Sequence, residues 1–365
     1  MYKYQCSNCG ADLVFSPNKS LLKCDYCGHE EVIKQTNEKP QERSYEQHIN
    51  NSHARLEKLS TTAIEVSCSD CGANITFEPP QVAGSCPFCA AKIVAQPKVA
   101  DPTIAPEGII PFHIGRQEAR KNLRKWIQKL WFAPNDLKQL AQPEKIQGVY
   151  LPFWTYDTET CSSYSGQRGD YYYETETYTE EDENGEQVTK TREIKHTHWS
   201  YASGMVNCSF DDVLIPGTKL INFQCLQALE PWDLKESLKA YEPSYLLGFE
   251  AQRSQVSLEE GFLSAKNIID DQIYVAVERD IGGDEQQIDS VSTDYQQLTF
   301  KHILLPVWMS SYRYRNGQFQ VIINARTGEI QAERPYSKIK IFCAILGGIL
   351  FSTAIILIVI WLKNR

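Results

Sequence analysis

Four things are missing from this 365-residue chain, and each removes a class of function. There is no Gly-x4-Gly-Lys-Ser/Thr loop, so a nucleotide-driven motor would have no phosphate cradle. Neither a Gly-x-Ser-x-Gly elbow nor a His-Glu-x-x-His helix occurs, which removes two common hydrolase arrangements. There is no basic excess: 37 Lys and Arg stand against 46 Asp and Glu, a net charge of −9, the wrong sign for a general polyanion binder. No apolar leader precedes Cys6, so the expected setting is a reducing compartment where thiols stay unpaired.

Cysteine is abundant instead. Eight of the twelve cysteines form two copies of Cys-x2-Cys-x14-Cys-x2-Cys. The first copy is Cys6, Cys9, Cys24 and Cys27; the second is Cys68, Cys71, Cys86 and Cys89. A Cys-x-x-Cys pair aims two thiolates at one centre, and two pairs complete a tetrahedral four-sulfur zinc site. The flanks repeat too: Cys-Ser-Asn-Cys-Gly-Ala-Asp-Leu-Val-Phe-Ser-Pro starts at Cys6, and Cys-Ser-Asp-Cys-Gly-Ala-Asn-Ile-Thr-Phe-Glu-Pro starts at Cys68. Gly10, Gly28 and Gly72 follow three of the pairs, where a tight turn requires positive φ; Ala90 follows the fourth. Haem attachment is excluded at the first copy, because Gly28 separates Cys27 from His29. The pattern predicts two zinc ribbons, each holding one structural Zn2+ with no open coordination position. Ribbons this short depend on the metal to fold. Their charge is balanced: in residues 1–34, Lys3, Lys19, Lys23 and Lys34 meet Asp12, Asp25, Glu30 and Glu31. Nucleic acid is therefore an unfavoured partner.

The other strong feature is an uncharged apolar run, 341–362, about 33 Å long as a helix against a hydrocarbon core of about 30 Å. Lys338 and Lys340 precede it, Lys363 and Arg365 follow it, and Trp361 sits at an interfacial position. The expectation is a single-pass tail anchor over 338–365, with the bilayer as a partner. The N-terminal bulk is expected in the cytosol, at the inner (cytoplasmic) membrane. Ala344, Gly348 and Ser352 make a small-residue face through which two anchors can pack as a homodimer.

Domain boundaries follow from composition. Ribbon one spans 1–34 and a polar linker 35–63, with a short helix expected around Tyr45–Leu59. Ribbon two spans 64–95. A linker at 96–107, carrying Pro97, Pro102 and Pro106, is expected to hold the ribbons off the main domain as a spacer, leaving them free to move. The main domain, 108–337, reads as α+β with mostly antiparallel sheet. A basic amphipathic helix is expected at Gln117–Trp131, with Ala119, Leu123, Trp126, Ile127 and Leu130 on its apolar face. Its charged face is read as solvated, with an anionic membrane surface as the other option. Tyr171–Tyr178 and Val188–Trp199, turning at Asn184-Gly185, predict a long hairpin with an acidic tip at Glu180, Glu181, Asp182, Glu183 and Glu186. His196 and His198 share one face of its return strand and are read as surface or packing residues before metal ligands. Ser257-Leu-Glu-Glu260 is a capping box opening a second helix through Ile273. Asp280-Ile-Gly-Gly-Asp284 is read as a turn. Leu151-Pro-Phe-Trp154 is echoed by Leu305-Pro-Val-Trp308, which suggests a duplicated domain. Cys161, Cys208 and Cys225 are isolated and read as packing residues. No catalytic residue or organic cofactor site is assigned.

Several strings resemble a widespread bacterial family of zinc-ribbon membrane proteins: Leu-Trp-Phe-Ala-Pro134, Gly148-Val-Tyr-Leu-Pro-Phe-Trp-Thr-Tyr-Asp157, Phe210-Asp-Asp-Val-Leu214, Asp280-Ile-Gly-Gly-Asp284, Phe300-Lys-His-Ile-Leu-Leu-Pro306, Arg326-Thr-Gly328 and Glu333-Arg-Pro335. Such proteins are often labelled primosomal helicase-like or TFIIB-type zinc ribbon, and the missing nucleotide loop contradicts the helicase label. The resemblance carries no activity. Its layout is similar to zinc-ribbon membrane proteins that recruit envelope-stress factors of the phage-shock type. The overall expectation is a multidomain, non-enzymatic, membrane-anchored cytosolic adaptor that recognises an unidentified protein partner. The alternative is a membrane-associated nucleic-acid-binding protein using the ribbons and the basic helix.

Overall fold

The computed structural model describes residues 4–33, 39–50, 64–68, 74–77, 83–85, 92–94, 98–99, 104–134, 146–181, 186–314, 317–333 and 336–363. The first cysteine module is a three-stranded antiparallel sheet of β1 (Leu13–Ser16), β2 (Leu21–Cys24) and β3 (Glu30–Glu31). Alternation along β1 and β2 turns Leu13, Phe15, Leu22 and Cys24 inward. These side chains share one hydrophobic cluster with Ile109, Phe112, Tyr150 and Tyr245 of the main domain. Phe15 meets Tyr245 edge-on at 5.2 Å, and its N–H donates to the Leu247 carbonyl at 3.0 Å. The module is thus docked on the domain, not held off it as the linker composition suggested. About thirty residues cannot enclose a core of their own, so this module completes one against its neighbour.

After β4 (Arg43–Ser44) and α1 (Tyr45–Asn50), the second module contributes β5 (Ile64–Ser67), β6 (Asn74–Phe77), β7 (Ala83–Ser85), β8 (Lys92–Val94) and β9 (Lys98–Val99). β5 pairs antiparallel with β6 and β9, and β7 with β8. Cys68 is buried in a cluster with Val149, Leu151 and Phe153. Cys71, Cys86 and Cys89 lie outside the described residues, as do 51–59 of the expected first helix.

The main domain is α+β with a mostly antiparallel sheet. In chain order it runs β10 (Gly108–Ile109), α2 (Arg116–Lys129), β11 (Gln147–Glu181), β12 (Gln187–Pro216), α3 (Phe223–Gln227), α4 (Leu234–Ser237), β13 (Lys239–Ala240), β14 (Glu250–Ala251), α5 (Leu258–Ile281), β15 (Glu285–Tyr314), β16 (Gly317–Asn324) and β17 (Ile330–Ala332). Its spine is β12-β11-β15. Odd-numbered Val149, Leu151 and Phe153 face α3 residue Leu226 and its neighbours Leu229 and Trp232; Tyr150, on the other face, packs with α2 and the first cysteine module. Farther along, α5 covers the even face. Its buried stripe is Leu258, Gly261, Ala265, Ile269, Ile273, Val277 and Ile281, and its capping box is formed by Ser257 and Glu260. Two phenols fasten it: Tyr164 donates to Asp280 at 2.6 Å and Tyr295 to Asp270 at 2.5 Å. At Gly261 a Cβ would overlap the Tyr156 hydroxyl, which itself donates to the Leu258 carbonyl at 2.7 Å.

The two echoing tetrapeptides are direct partners. Leu151 stands opposite Leu305 in the antiparallel β11–β15 ladder. The indole of Trp154 donates to the Val256 carbonyl at 3.1 Å, just ahead of α5, while that of Trp308 donates to the Ile114 carbonyl at 2.8 Å, just ahead of α2. Each strand therefore fixes the entry of one helix. Last comes α6 (Lys338–Lys363), an unburied apolar helix long and apolar enough over Lys338–Leu362 to cross a membrane.

Trp154→Phe and Trp308→Phe should each lower unfolding free energy by about 1–3 kcal/mol by stranding a carbonyl, more at Trp308, whose hydrogen bond is fully buried. The effects should add, because the two indoles sit in separate clusters. Denaturant titrations of both single variants and the double variant check this.

Candidate metal centre and a buried charge cluster

The first thiol cluster is built by two similar turns. Cys6 N–H donates to Ala11 O at 2.7 Å and Gly10 N–H back to Cys6 O at 2.9 Å; Cys24 N–H donates to His29 O and Gly28 N–H back to Cys24 O, both at 2.9 Å. Gly10 and Gly28 have φ of 74° and 75°, where any side chain would be strained, which is why glycine follows each pair. The turns bring all four Sγ atoms within 4.8 Å of one another. Cys6–Cys27 and Cys9–Cys24 are separated by 3.6 and 3.5 Å. A tetrahedral ion with metal–sulfur bonds of about 2.3 Å needs sulfur–sulfur edges of about 3.8 Å, so the donor set fits a metal ion. Cys6 and Cys24 are buried, Cys9 and Cys27 exposed. The backbone N–H of His29 leads the effects that lower the Cys27 thiol. Ser7 ties the rim together, donating from N and Oγ to Glu31 at 2.9 and 2.8 Å.

A second cluster belongs to no sequence motif. Lys301 lies on β15 with its side chain 7% exposed, ringed by Asp212 at 2.8 Å, Glu42 at 3.1 Å and Asp157 at 3.4 Å. A bulge where β11 meets β12 after Tyr156 brings the aspartates together, with Asp212 at φ 55° donating its N–H to Asp157 at 2.5 Å. Burial alone would lower the lysine, but the hydrogen bond to Asp212 and the charges of Asp157 and Asp212 more than offset it, and the ammonium is held. Asp157, Asp211 and Asp212 each bring a carboxylate oxygen within 4.8 Å of the others. Lys301 already supplies the cation there, and Asp211 turns to Lys235 at 3.2 Å. One strand position on, His302 is buried, its ring centroid 4.7 Å from that of Trp154 and tilted 31° to it, and bonded through Nδ1 to Ile104 O at 2.8 Å. That carbonyl can only accept, which places the ring proton on Nδ1. Glu107 accepts from His302 N–H at 2.6 Å and forms an ion pair with Arg43 Nε at 2.6 Å. Arg43 arrives because β4 adds to the β15 edge opposite Phe300. A signal existed in the sequence: Lys301-His302 interrupts an apolar strand, and such residues enter a core only when paired.

The remaining candidates do not converge. His196 stacks on Tyr172 and lies 3.7 Å from Glu174, and no His196–His198 metal cluster forms among the described residues. Asp280 accepts from Tyr164, and Asp284 accepts the Tyr171 N–H at 2.7 Å, so that turn serves the sheet. Cys161 and Cys208 are half-buried; burial raises the thiol of Cys225.

The chain is similar to the uncharacterised protein YdjG of Bacillus subtilis (strain 168), at 26% identity over 361 residues spanning 94% of each chain. No protein-family model and no solved structure matches it.

Burial holds His302 down at about 4, so the folded state keeps it neutral while the unfolded chain protonates near the ordinary 6.5. Its contribution, about 3 kcal/mol at most, is complete above pH 6.5 and is lost as pH falls toward 4. Burial raises Glu107 to about 7 and Asp157 to about 6, and these act with the opposite sign, losing stability as pH rises through that window. The wild-type profile should therefore be shallow. His302→Gln should lose less stability on acidification than wild type between pH 6.5 and 4, read from denaturation midpoints across that range.

Proposed function

We propose that this protein is a non-enzymatic, membrane-anchored adaptor that presents a protein-binding blade to the cytosol and is stiffened by structural zinc. The observation that carries this reading is the distal half of the β12-β11-β15 sheet. β11 and β12 stay paired from Phe153–Pro216 to Glu181–Gln187, far past the last residue covered by α5. Tyr173, Tyr201 and Met205 are exposed along it, Tyr201 at 75%. Among the described residues, β12 has a strand partner on one side only. A long edge with exposed aromatics is a surface suited to strand addition by a partner. Cross-strand Lys190–Glu180 and Arg192–Glu176 contacts keep it soluble without covering it.

Zinc is the metal this reading assigns, because four thiolates in a tetrahedral set favour it and leave no position for water or substrate. Repetition of the motif assigns a second ion to Cys68, Cys71, Cys86 and Cys89. The apolar helix α6 serves as the anchor, with the bulk of the chain on the cytosolic side of the inner membrane. Tethering raises the local concentration of the blade, so weak contacts suffice for recruitment.

Two outcomes test this. Purified protein should contain two zinc ions per chain by atomic emission, falling to one in Cys6→Ser/Cys9→Ser; zinc-free protein with intact thiols would remove the structural role. Crosslinked capture from native membranes should recover a discrete protein partner that is lost in Trp199→Ser/Tyr201→Ser, with membrane insertion unchanged. A partner retained by that variant refutes the blade as the binding surface.

A further inference from the structure

α2 carries six basic residues and one acidic one in an otherwise acidic protein. Arg116, Lys121, Arg124, Lys125 and Lys129 are exposed, Arg120 is half-buried, and none of the six makes an ion pair among the described residues. Arg120, Lys121, Arg124 and Lys125, with Gln117 and Gln128, line a shallow 380 Å³ groove. A concentration of unpaired cations is costly to keep unless an anion meets it.

The position of the helix says which anion. Its C-terminal end is tied to the first turn of α6: Lys340 Nζ donates to the carbonyls of Trp131 at 3.1 Å and Ala133 at 2.8 Å, and Ser337 N–H donates to Phe132 O at 2.8 Å. At that junction Trp131 is 77% exposed and Phe132 41%. Arg124 is seven residues from Trp131, about 10 Å along a helix, comparable with a Debye length of about 8–10 Å. An aromatic pair at the mouth of an apolar helix, with basic residues one to two turns away, matches the order of a bilayer interface: hydrocarbon, aromatic belt, phosphate.

From this juxtaposition we infer that the Arg120–Lys129 face of α2 lies on the membrane surface and binds the phosphate headgroups of anionic lipids, with Trp131 and Phe132 seated at the interface. The inference rests on α6 spanning the bilayer. It gives the protein a second membrane contact, which sets α2 against the bilayer surface beside the anchor. A nucleic acid would supply phosphates too, but it would not account for the exposed Trp131-Phe132 pair beside α6.

The test uses full-length protein in vesicles of phosphatidylcholine alone or mixed with phosphatidylglycerol, read by hydrogen–deuterium exchange. Amides of 125–133 should exchange at least about fivefold more slowly on the anionic vesicles, the effect of a single basic residue at a charged surface. Arg120→Glu/Arg124→Glu/Lys125→Glu should erase that difference while β15 and α6 keep their protection, which shows that the variant is folded and inserted. Equal exchange on both vesicles, with 342–362 protected, overturns this inference and leaves the anchor standing. Free exchange across 342–362 overturns both. Protection of α2 by added duplex DNA on neutral vesicles, with none from phosphatidylglycerol, assigns the basic face to nucleic acid and also overturns it.

Discussion

The pairing of β11 with β15 is the constraint on which the rest of the structure depends. It runs from Gln147–Met309 to Gly169–Glu285 and sets the alternation of both faces. A slip of one residue would turn Tyr150 and Leu151 to the wrong sides, exchanging two hydrophobic clusters for one another. It would also separate Lys301 from Asp157, leaving buried charges without partners. Register is therefore specified twice, by apolar area at one end of the ladder and by charge in its middle. The bulge after Tyr156 is where the two requirements meet, since it lets Asp212 reach Lys301 without disturbing the strands on either side.

Local elements were well marked in the sequence. The amphipathic stripe expected for Gln117–Trp131 is the buried face of α2, which ends two residues earlier, at Lys129. The Ser257 capping box opens α5, and the uncharged C-terminal run is one helix. The first cysteine set converges as its spacing implied. Longer-range features were not legible. The hairpin strands at Tyr171–Tyr178 and Val188–Trp199 are the outer ends of β11 and β12, joined to the core by Thr158–Asp170 and Ser200–Asp211. Those joining stretches are rich in Ser, Thr and Gly because only their even face is covered by α5. Without an apolar face of ordinary strength, they read as loop. Docking of β4 and of the first cysteine module depends on where β15 and Tyr245 lie in space, which no local pattern encodes.

The charge cluster shows how a buried lysine can be settled and yet carry no chemistry. A free cationic amine in a pocket is a candidate base or nucleophile when burial pulls its proton away. At Lys301 three carboxylates outweigh burial and hold the proton in place. The same geometry explains why three converging aspartates are a poor cation site: the ammonium stands where an ion would. A double role follows for Glu42 and Arg43, which come from the segment between the cysteine modules and bond into this region at Lys301 and Glu107. Those contacts fasten the segment to the sheet by charge, where its polar composition alone suggested a free linker.

Packing is continuous from the thiol cluster to the apolar helix. Cys6 and Cys24 share a core with Phe15, and Phe15 packs on Tyr245 and Phe249. Phe249 stacks on Phe112 at 4.0 Å, and Phe112 meets Trp308 at 5.1 Å. Trp308 holds the carbonyl of Ile114 at the start of α2, and the far end of α2 is bonded to the first turn of α6. Each link is an aromatic contact or a hydrogen bond. An ion held by the four thiols would thus rigidify more than its own turns, because the core it completes is the one that positions α2. Such continuity is not evidence of signalling, which requires two alternative arrangements of the same elements. What it does establish is a connected path: aromatic contacts and hydrogen bonds link the cysteine module, through the sheet and α2, to the first turn of the apolar helix.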